Sequence, residues 1–357
     1  MRNRSLVVFA LFVIVFSTLM LAQNRAAHFT PTLTPQNSGT TNSLIAVSAV
    51  NSRVVWASGR FGTFTMTTDG GNTWHAGVIP GTETLQLRDI EGVSEKVAYA
   101  MSISPTGTVP GEFRVYKTED GGATWALQFQ NTLDGAFYDC MAFWTPNRGI
   151  TFSDSVNGVF PVIRTTDGNT WQSIANNMPP ALPGEGSFAA SGTCVATQGG
   201  QRAWIGTGAA ATARVLATTD GGNTWNAYDT PFAQTSGASG IFSIAFRNAY
   251  NGIIAGGDLI ANTGQVARSS DGGHTWTLVN SPTNVGTSFG IAYVQGRGEN
   301  GDAAVVATSP TGSAWSPDEG TTWYPLPGLS GLWGLSFATP QAGWLVGTGG
   351  QIVKVSF

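Results

Sequence analysis

An all-β fold, a seven-bladed β-propeller with its ring closed by the N-terminal strand, is what the sequence predicts, and three observations predict it. The first is a phrase. TTDGGNTW at 67–74 returns at 218–225, with near-copies KTEDGGATW, RTTDGNTW, RSSDGGHTW and SPDEGTTW. Their aspartates, Asp69, Asp120, Asp167, Asp220, Asp271 and Asp318, stand 51, 47, 53, 51 and 47 residues apart. A period near this value, with four short strands per unit, marks a propeller blade. The second is composition: charged residues are 11% of the chain and glycine numbers 47 of 357, against roughly 25% and about 7% in an average soluble protein. The third is the remnant after the last phrase, GLWGLSFATPQAGWLVGTGGQIVKVSF, which supplies three strands of a seventh unit.

At the N-terminus, MRNR followed by the apolar run SLVVFALFVIVFSTLMLA reads as a secretory signal over residues 1–23, with Ala22 before a cleavage point. The run is long for such a segment, so an uncleaved anchor is the alternative, and only then does the chain touch a membrane. Without a cysteine in this segment, a lipoprotein anchor is not expected. The expected location is periplasmic or extracellular. Removing Arg2 and Arg4 from the 17 basic residues leaves 15 against 21 acidic ones, and no basic stripe suggests nucleic acid.

A single propeller is expected over 28–357. HFTPTLTP (28–35) serves as its closing edge strand, where two prolines are tolerable and an open edge is covered. Blade five shows the unit: IFSIAF, NGIIAGG and GQVARSS as first to third strands, DGGH as the turn, TWTLVN as the outer fourth. Blade three repeats the order in FYDCMAFW, RGITFS, FPVIRTT and TWQSI. Each phrase falls at the hairpin between third and fourth strands. Its Asp can accept N–H groups of its own turn and its glycines take positive φ. The tryptophans Trp74, Trp125, Trp171, Trp225, Trp276 and Trp323 can pack between blades. A structural role is therefore expected for these residues. The third copy lacks a glycine and predicts a tighter turn.

These phrases resemble the Asp-box, or BNR, repeat of sialidases, sortilin-type receptors, xyloglucanases and the photosystem II assembly factors of chloroplasts and cyanobacteria. LRDIEGVSEKVAYAMS, FYDCMAFWTPNRGITFSD, MPPALPGEGSFAASGTCVAT and GIFSIAFRNAYNGIIAGGD resemble an exported bacterial group named photosystem II assembly factor-like, sometimes labelled oxidoreductase. The resemblance implies a non-catalytic exported scaffold that binds or helps assemble another protein. One fold carries many activities, so the site must be argued separately.

The oxidoreductase label does not survive the residues. GTGAAA (206–211) matches a dinucleotide fingerprint only if a helix follows, and TARVLATTDGG reads as a strand; GTGGQI lies too near the C-terminus for a βαβ unit. No nucleotide cofactor is expected. GTSFG around Ser288 matches a nucleophile elbow, but the histidines, His28, His75 and His274, all precede it. Histidine and cysteine spacing offers no metal site. Cys140 and Cys194 occupy what read as equivalent inner-strand positions of blades three and four, where blade two has Asp89 and blade five Ser243. They form either one bridge or two buried thiols, and a bridge needs Cα atoms within about 7 Å.

Ligand sites on propellers sit at one mouth of the channel. The loops entering each first strand and joining second to third strands surround the face opposite the Asp phrases. The polar candidates there are Arg60, Arg88, Asp89, Tyr138, Asp139, Asp154, Glu185, Arg214 and Asp258, with Glu185 in the long loop ANNMPPALPGEGSF. A second reading is a sialidase-like or other glycoside hydrolase drawing its carboxyls from Asp89, Asp139, Asp154 and Glu185, although the Arg-Ile-Pro signature of sialidases is not reproduced. A third is a non-catalytic carbohydrate binder that uses Trp56, Trp144 or Trp204 as stacking faces.

Overall fold

The computed structural model describes residues 30–298 and 303–357. The signal segment expected at 1–23 lies outside them. Seven four-stranded antiparallel sheets form a seven-bladed β-propeller. Blades 1 to 6 are each built from four consecutive strands, and the first strand of each is the innermost.

Blade 7 takes its three inner strands from the C-terminus and its outer strand from Thr32–Asn37, which pairs with Gln351–Ser356 from Thr32↔Ser356 to Asn37↔Gln351. Gln36 makes this closure specific. Its Oε1 accepts the indole N–H of Trp344 in blade 7 and of Trp74 in blade 1, each at 3.1 Å. Lys354 Nζ also crosses the seam, donating to Gly70 O at 3.1 Å.

Hydrophobic residues fill the seams between blades rather than one central core, because each sheet buries both faces against its neighbours. Trp56, Trp144 and Trp204 are three such seam residues, exposed by only 0%, 9% and 1%. Their indoles donate to Ser94 O, Arg202 O and Gly272 O of the following blade. They pack between blades and are not available as the stacking faces that the carbohydrate-binding alternative needs. Phe246 lies parallel to Trp204 at 3.5 Å and covers Gly252, where a Cβ would come within 2.4 Å of the ring.

The six Asp turns join third to fourth strands on one face. In the first, the hydroxyl of Thr67 donates to Asp69 Oδ1 at 2.8 Å, and Thr73 donates its N–H to Oδ1 at 2.9 Å and its hydroxyl to Oδ2 at 2.6 Å. These bonds, led by the Thr73 hydroxyl, hold the Asp69 carboxyl well below its ordinary range. The same pattern surrounds Asp120, Asp220 and Asp271. Around Asp318, Ser316 and the Thr322 N–H take the corresponding places. At Asp167 the closing residue is Thr170, three positions on instead of four, so the missing glycine shortens the turn. The sixth turn puts Glu319 where the others have glycine, at φ +52°.

Trp125 and Trp276 pack edge-on beneath their turns against Trp56 and Phe246, and Trp171 likewise against Phe143. The indoles of Trp276 and Trp323 donate to Gly273 O and Asn280 O, and Trp225 is buried in the seam of blades 3 and 4.

Candidate functional site

The first strands of blades 1, 2, 3, 5 and 7 each carry a register shift near their start, leaving Ile45, Arg88, Asp139, Phe242 and Trp333 as the extra residue. A bulge of this kind turns two successive side chains away from strict alternation. It therefore divides the candidates. Arg88 and Asp139 point toward the loop face, whereas Asp89, one residue on from Arg88, lines the channel.

Most of the polar residues proposed for the mouth hold the loops in place. Glu185 and Arg214 form a buried ion pair: Nε donates to Oε1 at 2.9 Å and Nη2 donates to Oε2, with the Glu185 side chain fully buried. Thr207 Oγ1 and the Leu182 N–H also donate to Glu185, at 2.7 and 2.8 Å, and Arg214 Nη2 donates to Pro180 O. The pair thus pins the long loop onto blade 4. Asp258 accepts the hydroxyls of Thr235 and Ser239 and the N–H groups of Ile260 and Ala261. Tyr138 stacks on Phe113 at 3.7 Å and is 2% exposed. Arg60 is exposed on the turn beside Gln86.

Arg88, Asp139 and Asp154 do come together. Burial first, then the neighbouring Asp154 charge, push the Asp139 carboxyl well up, opposed by Arg88. Burial raises Asp154 to about 6, while the Ser187 N–H, donating at 2.7 Å, works the other way. Two buried carboxyls side by side cannot both ionise cheaply, so one carries the proton. Arg88 lies over the Trp333 ring at 5.7 Å.

Sequence reasoning missed what closes the channel. Residues 189–193, which lead into blade 4, cross its mouth. A Cβ on Gly192 would lie 2.4 Å from Asp89 Oδ1 in blade 2 and 3.1 Å from Ala46 Cβ in blade 1. Ser191 Oγ donates to Phe289 O on the far side at 2.7 Å, and the hydroxyls of Thr193 and Ser243 meet at 2.6 Å. This plug is secured at its end by a disulfide between Cys140 and Cys194, with Cα atoms 5.8 Å apart. The two cysteines stand at equivalent positions, as expected: counted from the residues that face the Asp phrases, Gly149 and Ala203, Cys140 pairs with Phe152 and Cys194 lies opposite Gly206, the place held by Asp89 and Ser243 in blades 2 and 5. Asp89, Cys140 and Ser243 each accept the backbone N–H of one residue in the following blade, Met141, Cys194 and Ile291 respectively. At Cys140 the bonded N–H belongs to the equivalent residue, Cys194, whereas at Asp89 and Ser243 it belongs to the residue after the equivalent one, and this closer approach accompanies the disulfide.

Beneath the plug lies a chamber of about 290 Å³. Its lining comes from the second halves of the first strands, which run toward the Asp turns, so it is a well closed at the loop face and open at the other. Small side chains keep it empty: Ser48, Ala142, Ala245, Ala292 and Ser336 lie at the level where blade 2 has Glu91. Asp89 accepts two backbone N–H groups, from Ile90 at 2.8 Å and Met141 at 2.7 Å. Glu91 is approached by Ser48 Oγ at 3.5 Å. These small residues take their meaning from the plug above them. A second cavity, about 340 Å³, lies at the Asp-turn end of blade 5 and contains the Arg247–Glu319 ion pair.

Residues 206–211 pass from the strand Arg202–Gly206 through a turn to the strand Arg214–Thr218, so no helix N-terminus meets that glycine motif. Ser288 is fully buried.

No family model matches the chain, and no curated protein does. Solved structures do. YCF48 bound to D1 peptide is 13% identical, with a TM-score of 0.61 over 92% of this chain and 98% of that one. YCF48 from Cyanidioschyzon merolae is 16% identical, with a TM-score of 0.64 over 91% and 98%. An ancestral GH74 enzyme is 13% identical, with a TM-score of 0.59 over 89% of this chain and 45% of that one. At these identities the likeness shows the propeller fold.

Proposed function

We propose that this chain is an exported, non-catalytic propeller that binds or helps assemble another protein, in the manner of the photosystem II assembly factor-like group. The observation that carries the reading is the likeness, over nearly the whole of both chains, to YCF48 with a peptide bound. The use of Glu185, Arg214 and Asp258 to hold loops supports it, since those groups are occupied within the fold. The loop face also displays apolar tips: Phe61, Val109, Val159 and Ile260 are 55%, 41%, 48% and 79% exposed. Export follows from the basic and apolar N-terminal pattern, and the six Asp turns supply the rigid Asp-box frame.

The GH74 likeness and the meeting of Asp139 with Asp154 favour one second reading, glycoside hydrolysis at that face. A photo-crosslinking amino acid placed in turn at Phe61, Val109, Val159 and Ile260, and at Tyr250 and Leu278 away from that face, separates them. Crosslinks in the host to one and the same polypeptide from the loop-face positions alone are the expected result. Absence of any polypeptide adduct, together with release of reducing ends from glycans by the purified protein, would reverse the assignment.

A further inference from the structure

We propose that the channel chamber is a binding site for a small organic cation, an alkyl or quaternary ammonium compound that enters from the face of the Asp turns. Three features of the chamber lead there. It is a walled well of about 290 Å³, open at one end, near the lower end of the roughly 300–1,000 Å³ of small-molecule pockets. Its lining holds two carboxyls and no Lys, Arg or His among the described residues. It is also two-sided: blades 7, 1 and 2 contribute Ser336, Ser48, Asp89 and Glu91, while Ala245 and Ala292 of blades 5 and 6 face them with methyl groups. A charged head with a short aliphatic body matches such walls.

The carboxyls set the sign of the ligand. A carboxylate in a walled well with no base beside it is costly unless a cation arrives. The groups facing Glu91 are Asp89 on its own strand, Ser48 from blade 1, Ser336 from blade 7, and Ser191 and Thr193 from the plug. Burial pushes Glu91 up to about 8 and Asp89 up with it. A bound ammonium reverses that push, so it enters as a proton leaves. One carboxylate among hydroxyls suits a monocation better than Ca²⁺, which takes six to eight oxygens.

The chamber opens away from the loops assigned to partner binding, so the two readings fail separately. The test is calorimetric titration of the full chain with choline and butylammonium, with 1-butanol and acetate as neutral and anionic comparators. Saturable heat from the cations alone, with proton release at neutral pH, is expected. In Glu91→Gln the affinity should fall by about tenfold or more, the loss expected for one charge-assisted contact. Ala292→Leu fills the void and leaves the charge, and it should also abolish binding while the melting temperature is kept. Should Glu91→Gln fail to fold, Ala292→Leu decides. Equal binding of 1-butanol, cation affinity unchanged in Glu91→Gln or binding retained in Ala292→Leu, or no heat from either cation at millimolar concentration overturns the proposal.

Discussion

Replacing Arg214 by leucine removes the cation bonded to Glu185, whose side chain has no exposed surface. The mutant must keep a buried carboxylate with two donors, Thr207 and the Leu182 N–H, or rearrange the long loop to let water in. Breaking a buried pair from one side costs about 3–5 kcal/mol. With about 2.1 cal/mol/K of unfolding entropy per residue over a propeller of some 325 residues, that corresponds to a melting temperature lower by roughly 4–7 °C. The double variant Glu185→Leu, Arg214→Met removes both charges and should recover most of the loss, since apolar replacement of a whole buried pair is often neutral. Calorimetric melting of the wild type, the single variants and the double variant closes the cycle. If Arg214→Leu melts within a degree of wild type, the pair does not pin the loop and the argument fails.

Three further outcomes are expected. Opening the disulfide, by Cys140→Ser with Cys194→Ser or by reductant, releases a 54-residue loop and should cost about 4 kcal/mol on the chain-entropy account, read as a lower urea midpoint. Gln36→Leu leaves the indoles of Trp74 and Trp344 without their shared acceptor; a loss of about 1–3 kcal/mol and faster amide exchange in Gln351–Ser356 than in blade 4 would show it. Asp154 has its folded pKa raised to about 6. It therefore lowers stability as pH rises from about 4 to about 6 and stays unfavourable above. Asp154→Asn should flatten that slope and raise stability at neutral pH by about 3 kcal/mol, as urea titrations across that pH range would show.

The ring was legible because repetition reports itself: six spaced aspartates and a three-strand remnant determine the blade number, and the remnant calls for a strand from the other end. Residues whose meaning depends on register were not. A bulge at Arg88 sends Asp89 into the channel and Arg88 to the loops, which alternation along LRDIEG does not show. The cysteines read as equivalent and are so, but whether their Cα atoms come close enough to bond is set by how blades 3 and 4 approach, which neither strand shows. Glu185 and Arg214 lie 29 residues apart in different elements, and nothing in either segment names the other. The plug is written in small residues, SFAASGT, without period or charge, so its path across the channel follows only from its neighbours in space.

The closing strand also has a consequence in time. Thr32–Asn37 is synthesised before the other strands of the ring, and its partner, Gln351–Ser356, after them. Until that partner arrives the early strand has nothing to pair with, and the ring stays an open arc with a bare edge at each end. Blades 1 to 6 can form as local hairpins while the chain emerges, but the circle is completed in one late event spanning some three hundred residues. A ribosome that stalls before residue 351 therefore leaves an arc with two adhesive ends, a substrate for chaperones and proteases. Completion of the ring is, in effect, a check that the seventh blade has been made.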